Sequence, residues 1–379
     1  MTSKLPNVGT TIFTVMSKLA VEHNAINLGQ GFPGFAIDGE LMECVNDAMH
    51  RGLNQYAPMP GLPVLREEIV NKLNALYGSN YSADNEVTIT AGATQALFTA
   101  ITALVHPGDE VILFAPAYDC YAPAIELNGG KCVWVDLHWP DYAIDWEKVK
   151  EVISPKTRMI IINTPHNPSG TVMNKADLKQ LDHLVKDTNI LVLSDEVYEH
   201  MVLDQGEHQS VARFPSLRDR SLLVYSFGKT FHATGWKIGY IVGPEHLMVE
   251  FRKVHQFNVF SCNTAVQAGL AEYMKKPERY EYLPHFFTQK RDFFLAQLEG
   301  SAFQWKPATG TYFQVLQYGA ISNESDTDMA IRITKEFGVA SIPLSVFYSN
   351  NVQEQTLRFC FAKENEQLEK AAEILRSIR

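Results

Sequence analysis

The sequence predicts an α/β protein, a large domain with a mostly parallel seven-stranded sheet between helices plus a smaller α+β domain. Three observations carry this. Seven short β-rich runs recur through the middle of the chain, each ends in turn residues, and helical patterns lie between them. In order, the runs are EVTIT (86–90), EVILF (110–114), KCVWVDL (131–137), RMIIIN (158–163), ILVLSD (190–195), LLVYS (222–226) and KIGYIVG (237–243). ALFTAITALV follows Gly92 with apolar positions at helical spacing, and KADLKQLDHLVKD follows Asn174, a residue suited to cap it. From about residue 280 the pattern changes. A long polar-apolar helix (YLPHFFTQKRDFFLAQLE) is followed by short strands around Tyr312 and Arg358 and by an amphipathic terminal helix, NEQLEKAAEILRSI. The expected organisation is an N-terminal segment (1–40) joining the small domain, a large domain (41–280) and a small C-terminal domain (281–379).

A chain of 379 residues exceeds one ordinary core, which also favours two domains. Its composition, 46% hydrophobic and 20% charged, is that of a soluble globular protein, and the net charge of −10 argues against nucleic-acid or anionic-membrane partners. The five cysteines (44, 120, 132, 262 and 360) are scattered, with no CxxC pair and no His/Cys cluster to hold a metal. They read as reduced thiols. The first residues, MTSKLPNVGTTIF, contain no apolar signal core, and no run approaches the roughly 20 apolar residues of a membrane span. A cytoplasmic protein is expected.

In an open parallel sheet, ligands bind beyond the carboxyl ends of the strands. The residues just past each run are therefore the ones to inspect. After EVTIT, the turn Ala91-Gly92-Ala93-Thr94 opens a helix, and its free N–H groups and hydroxyl suit a phosphate. EVILF leads to Tyr118, RMIIIN to the loop Thr164-Pro165-His166-Asn167-Pro168-Ser169-Gly170, and ILVLS runs into Asp195 with Tyr198 three residues on. LLVYS ends at Ser226, and Lys229 stands three residues later.

Each of these has an ordinary structural reading: a helix start, a packing ring, a turn, a cap, a solvated charge. Together they match one ligand, pyridoxal 5′-phosphate (PLP). A lysine forms an imine with its aldehyde, and a carboxylate keeps its ring nitrogen protonated. Hydroxyls and backbone N–H groups hold its phosphate, an amide and a phenol reach its ring oxygen, and an aromatic face stacks on its ring.

The segment SFGKTFHATGWKIG (226–239) resembles the cofactor-lysine motif of class I/II aminotransferases, the fold-type I PLP enzymes. NTPHNPSG (163–170), SDEVYEH (194–200), ATGTYF (308–313), RFCF (358–361), LGQGFPGF (28–35) and NQYAPMPGLPVLRE (54–67) extend the resemblance over essentially the whole chain. LGQGFP, NQY, KTFxATGWKxG and VASIPLSVFYS (339–349) are most similar to the kynurenine/glutamine transaminase and methionine aminotransferase subgroup.

The resemblance implies a PLP-dependent, ping-pong transfer of an amino group from an L-amino acid to a 2-oxo acid. By it, Lys229 carries the cofactor and moves the substrate proton, Asp195 pairs with the ring nitrogen, and Asn167 and Tyr198 bond the ring oxygen. Tyr118 stacks on the ring; Ala93, Thr94, Ser226 and Lys237 bind the phosphate, with Tyr56 contributed by the partner of a homodimer. Arg358, Asn167 and the backbone at Gly31 hold the substrate carboxylate. Lys237 stands where many relatives have arginine, so the phosphate meets a point charge and not a fork. His166, where relatives often have asparagine, reads as support for Asn167.

Near the expected substrate side chain lie Phe13, Phe347 and, from the partner by resemblance, Phe260, with no obvious second arginine. This favours methionine, glutamine, aromatic amino acids or kynurenine over aspartate. The same Lys229 and Asp195 would serve a carbon-sulfur β-lyase, which releases pyruvate and ammonia without an added 2-oxo acid. A non-catalytic PLP-binding regulator would carry a basic DNA-binding segment ahead of the domain, and the acidic charge speaks against it. No GxGxxG follows a strand in the manner of a nicotinamide dehydrogenase.

Overall fold

A computed structural model describes residues 2–6, 8–350 and 352–379. In chain order its strands are β1 (Ile26–Asn27), β2 (Val87–Thr90), β3 (Glu110–Ala115), β4 (Lys131–Asp136), β5 (Thr157–Asn163), β6 (Leu191–Asp195), β7 (Ser221–Ser226) and β8 (Gly239–Val242), followed by β9 (Phe313–Gln317), β10 (Val339–Ala340), β11 (Ile342–Pro343) and β12 (Thr356–Cys360).

The seven β-rich runs all become strands of one sheet, in the order β2-β8-β7-β6-β5-β3-β4. Strands β4, β3, β5, β6 and β7 are parallel neighbours, whereas β8 is antiparallel to both β7 and β2. Successive residues of a strand point to opposite faces, and here both faces are dry. Ile112, Ile160, Val192, Leu223 and Tyr240 enter one core, while Val111, Leu113, Ile161, Leu193, Val224 and Ile241 enter the other. That is why the runs read as continuous apolar segments. The helices Pro63–Tyr77 and Lys175–Val185 bury Leu65, Ile69, Leu178 and Leu181 in the first core; Ala93–Leu104 and Glu245–Asn258 bury Leu97, Ile101 and Phe251 in the second.

The reversal of β8 matters for the site. Its first residue, Gly239, pairs with Ser226 at the end of β7 and with Thr90 at the end of β2. The residue that reaches the carboxyl edge here is therefore one that precedes a strand, Lys237.

Helix starts follow local chemistry. Asn174 caps Lys175–Val185 by accepting from the N–H groups of Ala176 and Asp177, and the Asp177 carboxylate accepts from the Asn174 N–H in return. The helix Ala93–Leu104 instead opens on Gly92, at φ 81° and ψ 170°. This backbone conformation is essentially reserved for glycine.

In the C-terminal part, β9, β12 and β11 form an antiparallel sheet in the order β11-β12-β9, with Arg358 at the centre of β12 between Val315 and Ile342. Helices Leu283–Gln297 and Asn365–Ser377 pack together in the same region. The N-terminal β1 pairs in parallel with β10, so the start of the chain is stitched to this part. Among the described residues, no helix is long and apolar enough to cross a membrane, and no group of three or more His, Cys, Asp or Glu side chains is placed to hold a metal.

Candidate active site

The carboxyl ends of β2, β5, β6 and β7 converge on a cavity of about 230 Å³. Twelve of the residues singled out from sequence line it: Phe13, Gly31, Ala93, Thr94, Tyr118, Asn167, Asp195, Tyr198, Ser226, Lys229, Lys237 and Arg358.

Lys229 lies on the short helical turn Phe227–Thr230 that follows β7. Its Nζ donates to the Gly31 carbonyl at 2.8 Å and stands 5.7 Å from the Tyr198 ring and 5.8 Å from the Tyr312 ring. Burial disfavours the ammonium form and pulls its pKa down from 10.5 to about 8. A substantial share of neutral amine is thus available near physiological pH. Asp195 closes β6 and is buried as well; the loss of water pushes its carboxyl up to about 6, against the lowering effects of a hydrogen bond from Tyr121 and of nearby Lys229.

Arg358 is fully buried and gives its N–H groups to neutral oxygens: Nη1 to Asn167 Oδ1 at 2.7 Å and Nη2 to the Gly29 carbonyl at 2.9 Å. Its Nε has no hydrogen-bond partner among the described residues, and its guanidinium lies 4.0 Å from the Phe313 ring and 5.3 Å from the Phe13 ring. Burial lowers its pKa, yet an arginine stays charged. A buried cation bonded only to neutral groups is prepared for an anion. Asn167 is fixed by Arg358 at its oxygen and by its own N–H to Asn163 Oδ1 at 2.8 Å, which leaves its amide N–H₂ to donate into the cavity.

The opposite end suits a phosphate. The first N–H groups of the helix Ala93–Leu104 have no intrahelical partner. The Thr94 hydroxyl, Ser226 and Lys237 surround them, with Thr94 Oγ1 3.2 Å from the Tyr118 hydroxyl. A Cβ on Gly92 would lie 3.4 Å from Lys237 Nζ, and one on Gly239 would lie 3.1 Å from the Ala93 nitrogen. Gly239 keeps this space free, and Gly92 supplies the backbone turn that opens it.

A buried amine, a buried carboxylate and a cradle of free N–H groups and hydroxyls around one cavity suit PLP. The family described as aminotransferase class I and II matches residues 23–375. The chain belongs to the class I and II aminotransferases. A methionine aminotransferase from Escherichia coli (strain K12) is 48% identical over 377 residues, 99% of this chain and 98% of the relative. Kynurenine–oxoglutarate transaminase 1 from Homo sapiens is 33% identical, covering 95% of this chain and 93% of the relative. A solved structure from Escherichia coli, described as identifying a methionine aminotransferase function, superposes with a TM-score of 0.98 at 48% identity over 100% of this chain and 99% of that one. The protein is accordingly a PLP-dependent transaminase of fold-type I, acting on amino and 2-oxo acids.

Three residues expected at the aminotransferase site do not line the cavity of one chain. Tyr56 and Phe260 are exposed and meet each other edge to face at 5.3 Å. Phe347 is buried behind Phe13, with ring centroids 5.8 Å apart, so it shapes the cavity through that ring and not by contact. His166 is buried, bonded through Nδ1 to Ser169 Oγ at 2.6 Å, and held neutral by burial at about 4. It braces the loop that carries Asn167. Sequence reasoning missed Gln30, Asn163, Phe313 and Tyr121. Asn163 is the last residue of β5 and met the strand-end rule as well as Asp195 did. Tyr121 stands three residues after Tyr118 and opens the helix Tyr121–Leu127.

Proposed function

We propose that this aminotransferase takes an L-amino acid with an uncharged, extended or aromatic side chain as donor, methionine foremost, with glutamine, aromatic amino acids and kynurenine in the same class. The observation that carries this is the cation inventory of the cavity. Arg358 is the single arginine among the described lining residues, and Lys229 and Lys237 are committed elsewhere, so nothing is left for a distal carboxylate. Phe13, Phe313 and Tyr118 supply apolar wall.

The placement of the lining residues supports the following roles. When bound, PLP supplies an aldehyde for the amino group and a protonated ring that withdraws the electron pair of the α-carbon. Ala93, Thr94, Ser226 and Lys237 bind its phosphate, Tyr118 stacks on its ring, and Asn167 and Tyr198 donate to its ring oxygen. Asp195 keeps a proton on the ring nitrogen. Lys229 Nζ, with a pKa near 8, carries the α-proton once its amine is free. Arg358 and Asn167 hold the α-carboxylate beside Gly31.

We further propose a cytoplasmic homodimer, with the segments 1–40, 41–280 and 281–379 as its structural units. Five free cysteines, the β1–β10 pairing and the exposed Tyr56–Phe260 pair support these readings. In the dimer Tyr56 reaches the phosphate of the neighbouring site and Phe260 its substrate.

Donors are to be compared by 2-oxo acid formation with a common acceptor. Methionine should exceed aspartate in kcat/KM by at least about a hundredfold, the scale set by leaving a buried carboxylate unpaired. Equal use of aspartate would refute the donor class. Pyruvate and ammonia formed from a cysteine conjugate without acceptor would add the lyase reaction.

A further inference from the structure

Tyr121 belongs to none of the groups just assigned, yet it makes the shortest side-chain contact to Asp195. Its hydroxyl donates to Asp195 Oδ2 at 2.6 Å, within the range of a charge-assisted O–H···O⁻ bond. The other oxygen, Oδ1, accepts only the Val197 N–H, at 3.3 Å, among the described residues. The Tyr121 ring is 3% exposed, meets the Tyr118 ring edge to face at 5.7 Å, and also borders a second cavity of about 340 Å³ whose wall it shares with Asn163. One residue thus touches both the carboxylate and the stacking ring of the cofactor cavity.

We propose that Tyr121 is a positioning residue that keeps Asp195 ionised and turns its Oδ1 toward the cofactor's ring nitrogen. The proposal rests on the reading of Asp195 given above. A buried carboxylate is stabilised in its charged form by each donor it accepts from, and the Tyr121 phenol is a donor that burial keeps from ionising, its pKa lying well above 10. The other groups facing Asp195 are Tyr118 and Cys120 beside Tyr121, Glu196 and Tyr198 on its own segment, and Lys229 across the cavity. Glu196 opposes the charge, Lys229 favours it but is given over to the cofactor, and Cys120 and the tyrosines are neutral with pKa values raised by burial. Tyr121 is therefore the principal hydrogen-bond donor to that carboxylate that stays in place when the cofactor binds.

The sign is fixed. The ionised carboxylate holds the protonated ring, so cofactor affinity falls as pH drops through the Asp195 pKa. Removing the phenol raises that pKa and moves the fall to higher pH. Tyr121→Phe deletes one oxygen and keeps the ring packing. PLP binding to cofactor-free protein is to be measured by equilibrium titration at pH 6 and pH 8 for wild type, Tyr121→Phe, Asp195→Asn and the double variant. Tyr121→Phe should weaken binding about tenfold at pH 6, the scale of one hydrogen bond to a charged group, and less at pH 8. It should cause no further loss in the Asp195→Asn background, because residues acting through one another are not additive. Wild-type affinity at both pH values, or the same loss with and without Asp195, would overturn the role of Tyr121. Unchanged affinity in Asp195→Asn alone would overturn the reading of Asp195 itself.

Discussion

Burial moves the two principal titrating groups of the cavity in opposite directions, Lys229 down to about 8 and Asp195 up to about 6. Each shift is also a statement about stability. In the unfolded chain Lys229 titrates at its ordinary value, so between pH 8 and 10.5 the folded chain binds fewer protons there than the unfolded chain does. Stability contributed by this residue therefore rises with pH across that window and is lost as pH falls through 8. In cofactor-free protein, the gain in thermal midpoint from pH 8 to pH 10.5 should be larger for wild type than for Lys229→Met, as calorimetry can read. Equal gains would show that Lys229 is not desolvated. At this scale the sequence was legible where chemistry sits at a strand end, as with Asp195, Ser226 and Asn167. It was not legible for Phe313, which enters from β9 in the separate antiparallel sheet, or for Tyr121, whose role depends on a partner 74 residues away.

The elements that place these residues were readable because a strand buried on both faces leaves a continuous apolar run. All seven runs became strands of one sheet. Their order was not readable, since pairing depends on contacts between distant segments, and nothing in the periodicity of KIGYIVG marks β8 as reversed. That reversal brings Lys237 beside the helix Ala93–Leu104. The helix start has its own signature in Gly92, whose conformation costs a residue with a side chain about 1–3 kcal/mol. Gly92→Ala should therefore lower stability by about that amount and also weaken PLP binding, because the added carbon points toward Lys237 Nζ. Denaturant melts of the cofactor-free variant and a PLP titration separate the two effects. A variant with wild-type values in both would show that the cradle does not need glycine.

For the molecule as a whole, the exposed aromatics are the feature a single chain does not explain. Tyr56 is 81% exposed, Phe257 87% and Phe260 51%. Residues of this kind are costly in water when contiguous and mark association surfaces. Sedimentation should give the mass of two chains, and Tyr56→Ala should weaken PLP binding while leaving the melt of the cofactor-free protein nearly unchanged. A fully active monomer would contradict the shared site. The sequence carried Tyr56 and Phe260 to the site by resemblance alone, because no pattern within one chain reveals a contact made by another. Every other role at this site depends on one amine, Lys229 Nζ, holding the cofactor. Borohydride reduction of the PLP-loaded protein fixes the cofactor to whichever amine carries it, and peptide mass mapping then locates it. The peptide bearing Lys229 should carry the added pyridoxyl phosphate mass; finding that mass on Lys237 or any other lysine, with Lys229 unmodified, would contradict the account.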